Sequence, residues 1–213
     1  MMQRLLHTIL RAGAFLISLV FHPVFIPVYT VWLYFHLTPR FFLPANRHFL
    51  ILYLTIVSII IPLLFFGVIF RAKGISGYRL QHPRERLLLS VIILVVYTII
   101  FSKIIKYHQF IELYPFFFGI ILSVLTLVLF NYFYKKPSIH TVAVTGSIVF
   151  FIIWSYYSQI NILNYLSVMI IIVTLVIAAR VYSGDHDFRE IIQGIVIGVL
   201  MQLAGFYLTW LFF

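Results

Sequence analysis

Twelve residues, Ala179-Arg180-Val181-Tyr182-Ser183-Gly184-Asp185-His186-Asp187-Phe188-Arg189-Glu190, hold three of the chain's five carboxylates, two arginines and a histidine. Both flanks are apolar, Met169 to Ala178 and Ile191 to Leu200. Charge at the end of such a segment is costly unless it is solvated, paired or used. In a chain with so few acids, their concentration around one histidine flanked by arginines suggests a site, and an anionic one. Two other readings stay open. His186 with Asp185, Asp187 and Glu190 also fits a site for a hard or borderline cation, and the segment also reads as a salt-bridged loop.

Two more stretches carry polar chemistry. The run 71–86 ends Tyr78-Arg79-Leu80-Gln81-His82-Pro83-Arg84-Glu85-Arg86, and the run 135–140 is Lys135-Lys136-Pro137-Ser138-Ile139-His140. Taken singly, Arg79 and Arg86 read as interfacial anchors. Pro137-Ser138 reads as a helix start with a serine cap, and His140 as an interfacial side chain.

Composition sets the solvent. Of 213 residues, 63% are hydrophobic and 9% charged, with no cysteine. A soluble domain carries roughly a quarter charged residues, so residues 1–213 are expected to form one integral membrane domain. Thiolate catalysis, disulfides and cysteine metal sites are excluded. The net charge of +10 suits anionic headgroups or a phosphate. No contiguous basic soluble module is present, so nucleic acid is a poor partner. Residues 1–12, with Arg4, His7 and Arg11, read as a basic interfacial segment.

Spans of about 20 apolar residues fall at 13–37, 48–70, 87–103, 114–134, 141–157, 161–179 and 191–212. The expected fold is an all-α, polytopic transmembrane bundle of about six to seven spans. His22-Pro23 and Pro27 interrupt the first span, and Pro62 lies inside the second. The runs 71–86, 135–140 and 179–190 are separated by two spans each. All three therefore belong to one membrane face, which is where an active site is expected.

Taken together, Arg79-x6-Arg86, Pro137-Ser138-Ile139-His140 and Arg180-x5-His186-x3-Glu190 resemble the three signatures of the type 2 phosphatidic acid phosphatase / haloperoxidase superfamily. Order, spacing and shared face agree over residues 79–198. Gln193-Gly194-x3-Gly198 resembles the small-residue pattern that often follows the third signature. Five positions depart: Arg79 stands for Lys, Leu87 for Pro, Ile139 for Gly, Ala179 for Ser and Glu190 for Asp. Arginine at 79 keeps a phosphate-binding cation, and glutamate at 190 keeps a carboxylate. Ile139 places a side chain where backbone would meet phosphate.

The resemblance implies a metal-independent, cofactor-free lipid phosphatase. His186 would be the nucleophile, Glu190 its orienting carboxylate and His140 the general acid. Arg79, Arg86, Ser138 and Arg180 would bind phosphate. A site at the ends of membrane helices is reached from the bilayer, so the substrate would be a lipid phosphate: phosphatidic acid, phosphatidylglycerophosphate, a polyprenyl diphosphate or the phosphate of lipid A. Alternatives are a catalytically impaired lipid-phosphate-binding relative, for which Ile139 is the motive, and a small transporter with broken helices. Eleven Lys and Arg, counting the N-terminus, lie on the site side and four on the other. Positive-inside reasoning places that side in the cytoplasm, whereas the resemblance places the site outside a bacterial inner membrane. The extracytoplasmic placement is the expectation taken here.

Overall fold

In a bilayer every backbone polar group must be satisfied within the protein, and a helix does this inside one segment. The computed structural model follows that rule. It describes residues 2–64, 67, 83–104, 108–133 and 136–212, and Arg79 and Lys135 lie outside the described residues. Eight α-helices and no strand occur among those described: α1 Met2–Val20, α2 Ile26–Leu37, α3 Pro44–Thr55, α4 Pro83–Ile104, α5 Tyr114–Tyr132, α6 Ile139–Ser158, α7 Leu163–Tyr182 and α8 Phe188–Phe212. Six helical segments are long and apolar enough to cross a membrane, beginning with Pro44–Leu64, which extends α3. Within that segment a π turn occupies Ile56–Ile60. Pro62 lacks the N–H that would bond the Ser58 carbonyl and its ring crowds that oxygen, which is a sufficient cause.

The start of the chain differs from the expectation. Residues 1–12 and 13–20 are not separate elements, because one helix runs from Met2 to Val20. It packs on α7: His7 meets Tyr182 with ring centroids 6.0 Å apart, Ser18 meets Arg180, and Ile17 joins a cluster with Val144 and Val176. Ala14 and Ser18, one turn apart, are its buried side chains, so small residues set the contact. The chain then turns at His22-Pro23 and begins α2, where Pro27 sits in the first turn and needs no hydrogen bond.

Helix α8 is the organiser. It packs against α5 and α6, and glycines set the spacing. A Cβ at Gly194 would lie 2.7 Å from the Ser138 carbonyl oxygen, and one at Gly198 the same distance from that of Val142. These contacts fix the start of α6 against the start of α8. The apolar core holds Tyr34, Phe116, Phe117, Phe150, Phe151 and Trp154. At the opposite end, Glu112 accepts hydrogen bonds from Tyr34 Oη at 3.1 Å and Trp154 Nε1 at 2.9 Å, and pairs with Arg40 at 3.1 Å. Glu112 therefore ties three elements together at the end away from the 179–190 loop.

Candidate functional site

The loop between α7 and α8 is built by local rules. Helix α7 stops at Tyr182, Gly184 takes φ +66, and the Ser183 and Gly184 N–H groups return to the carbonyls of Ala179 and Val181. Such a left-handed glycine is the usual way to end a helix. Helix α8 then opens with a capping box. Glu190 N–H donates to Asp187 Oδ1 at 2.8 Å, and Asp187 N–H donates back to Glu190 Oε2 at 3.3 Å.

That box aims Glu190 at His186. Oε2 of Glu190 lies 2.8 Å from His186 Nδ1. A carboxylate only accepts, so Nδ1 carries the hydrogen and Nε2 keeps its lone pair. His186 lies outside the spans, and its pKa is held below the ordinary histidine value. Burial is the main cause, with Arg180 and Lys136 adding to it, while the bond and charge of Glu190 oppose the shift. The neutral imidazole is thus the prevailing form at neutral pH.

Cations surround this pair. Arg180, in the last turn of α7, binds Asp185 Oδ2 at 3.0 Å and donates to Ser18 Oγ at 3.3 Å. Its side chain is only 12% exposed, so its direction is fixed. Lys136 Nζ donates to the Asp185 carbonyl at 2.8 Å. Arg86, on the first turn of α4, interacts electrostatically with Glu190.

The third wall is the start of α6. Ser138 N–H donates to the Glu190 carbonyl at 3.1 Å, joining the second motif to the third through the main chain. Ser138 has the extended backbone of an N-cap, but its hydroxyl does not cap the helix. The side chain is fully buried and its oxygen has no hydrogen-bond partner among the described residues. This corrects the cap expected from sequence. His140, the second residue of the helix, bonds through Nε2 to the Ser18 carbonyl at 3.2 Å. A carbonyl only accepts, so here Nε2 carries the hydrogen and Nδ1 keeps its lone pair.

Arg86, Ser138, His140, Arg180, His186 and Glu190 are therefore brought to one end of the bundle; Arg79 lies outside the described residues. Ile139 does not crowd them. Its side chain packs with Leu127, Val142 and Ile197 and lines an interior apolar cavity of about 80 Å³ that also touches Pro23, Val24 and Gln202. The carboxylates do not converge either: Asp185 pairs with Arg180, Asp187 caps α8 and Glu190 orients His186. Among the described residues no group of three or more His, Asp or Glu is placed to hold a metal ion.

Sequence reasoning missed Ser18, His22 and Lys136. The run 135–140 enters the expected site only through Ser138 and His140, and His22 with Pro23 reads as a helix break. Its ring meets that of His140 edge to face, centroids 5.2 Å apart. A histidine in an apolar run beside a proline was the available signal. Comparison with protein-family models, curated proteins and solved structures gives no match.

Proposed function

We propose that this protein is a membrane lipid phosphatase that cleaves a phosphomonoester or diphosphate through a phosphohistidine. One observation carries the reading. His186 is bound through Nδ1 to Glu190 at 2.8 Å, which leaves Nε2 free for attack in the midst of Arg86, Lys136 and Arg180. Those cations, the buried Ser138 hydroxyl and the free N–H groups opening α6 suit the equatorial oxygens of a phosphoryl group.

In the first step His186 Nε2 forms the N–P bond as the P–O bond to the lipid breaks. Protonated His140 gives its proton from Nδ1 to the departing oxygen. In the second, neutral His140 takes a proton from water as that water attacks phosphorus. The N–P bond breaks, inorganic phosphate leaves, and His186 returns neutral. Glu190 stabilises the positive charge that grows on the His186 ring during attack. The candidate substrates remain phosphatidic acid, phosphatidylglycerophosphate, a polyprenyl diphosphate and lipid A phosphate.

The test is phosphate release from each of these lipids by purified protein in mixed micelles. Release from at least one, lost in His186→Ala, supports the reading; no release from any overturns it. The site is proposed to face outward from a bacterial inner membrane. Ser158, ending α6 at the opposite end from Ser138, gives the check: Ser158→Cys should resist an impermeant thiol reagent in intact cells, and rapid labelling there would place the site in the cytoplasm.

A further inference from the structure

We infer that the segment from Ser18 to His22 is the orienting partner of His140, as Glu190 is of His186, so that the N-terminal helix supplies part of the acid–base apparatus. The inference rests on the phosphatase reading above. It begins from a difference between the two histidines. His186 is held at Nδ1 by a carboxylate and His140 at Nε2 by a main-chain carbonyl. A carboxylate supports the charge that builds on a nucleophilic imidazole. A neutral carbonyl fixes ring and tautomer without holding the charge, which suits a group that must release its proton.

Three features place the segment. The small buried residues at 14 and 18 seat α1 against α7. Past Val20 the chain closes turns, with His22 N–H to the Leu19 carbonyl at 3.2 Å and Phe25 N–H to the His22 carbonyl at 2.9 Å. Pro23 has no N–H to continue the helix. His22 Nδ1 then faces the Val24 N–H at 3.4 Å, a long contact that still favours one ring orientation. The outcome is the edge-to-face contact with His140 at 86°. Without it the His140 ring keeps only the Ser18 hydrogen bond to fix it about χ2.

Ser18 adds register. Its carbonyl takes His140 and its hydroxyl oxygen takes Arg180 Nη1, so one residue sets the acid relative to the phosphate clamp. None of the three motifs contains it.

The test compares the phosphorylation burst on a lipid phosphate, whose alkoxide needs a proton to leave, with that on p-nitrophenyl phosphate, whose phenolate barely does. His22→Ala should slow the lipid burst about 10- to 100-fold, change the nitrophenyl burst by less than about twofold, and leave KM for the lipid in place. His22→Phe, which keeps a ring against His140, should restore most of the lost rate. Equal loss on both substrates, or no loss on either, overturns the inference and leaves the phosphatase reading standing. Wild-type protein that forms no phosphoenzyme with either substrate overturns both. An independent measurement needs no variant: ¹⁵N shifts of His140 in the wild-type protein should show the Nε2–H tautomer, and the Nδ1–H tautomer would contradict the proposed orientation.

Discussion

His186 and Glu190 meet at 2.8 Å across the junction of loop and helix, and the oxygen that binds the imidazole is the one that closes the capping box of α8. Helix initiation and histidine orientation therefore share one carboxylate. A change that loosens the cap also loosens His186, the proposed nucleophile, and Asp187, which caps the helix, is coupled to the proposed chemistry through it.

The lowered pKa of His186 gives a signed pH dependence. The proposed nucleophile is the neutral ring, so turnover should rise with pH through the folded pKa, which lies below the ordinary value of about 6.5. The acid limb of kcat/KM should therefore fall below that pH. Stability should move in the same sense. The unfolded chain binds the proton more readily, so the contribution is complete above about pH 6.5 and is lost as pH falls through the folded value. Replacing Lys136 with Met removes one cause of the shift and should move the acid limb upward. A limb that stays in place would show that Lys136 does not act on His186.

His140→Ala should cost about 10²- to 10⁴-fold in the burst on a lipid phosphate and much less on p-nitrophenyl phosphate. Burst rates are the quantity to read, because the proposed mechanism also uses His140 in the second step. Equal losses would assign His140 to binding or structure instead of proton transfer.

Turnover should survive EDTA. Asp185, Asp187 and Glu190 are each committed to a different protein partner, and the proposed phosphate charge is met by arginine and lysine. Loss of activity on chelation, restored by one divalent ion, would require these carboxylates to rearrange as ligands.

Much of this arrangement was legible in the sequence because it follows from counting. Span parity placed 71–86, 135–140 and 179–190 on one face, and the Ser138 to Glu190 main-chain bond joins the last two. The Gly194-x3-Gly198 spacing announced a close helix pair, and the contacts with α6 supply one. What spacing could not give was α1. Its polar residues Arg4, His7 and Arg11 mark an interfacial face, but the apolar residues from Gly13 onward run on toward Phe21 and read as the start of a span. Nor did the motif pattern show where Ile139 would point. Its position at the first turn of α6 sends the side chain toward Leu127 and Ile197, a consequence of how α6 sits on α5 and α8.

Gly198→Ala tests that packing. The added carbon would approach the Val142 carbonyl oxygen to 2.7 Å and Thr145 Cβ to 3.0 Å, so α6 and α8 must part. A stability loss of about 1–3 kcal/mol is expected, with a further fall in turnover as Ser138 shifts against Glu190. Thermal unfolding in detergent reads the first and phosphate release the second. Unchanged values for both would mean that the two helices are not in contact as described.

The most direct measurement is capture of the covalent intermediate. Protein mixed with radiolabelled lipid phosphate and quenched in alkali within the burst should carry label on His186, stable to base and released by acid, and mapped by peptide sequencing. The account predicts about one label per active site in the wild type, none in His186→Ala, and prolonged labelling in His140→Ala, where water is not activated. Hydrolysis by wild-type protein with no labelled histidine, or undiminished turnover by folded His186→Ala, would contradict it.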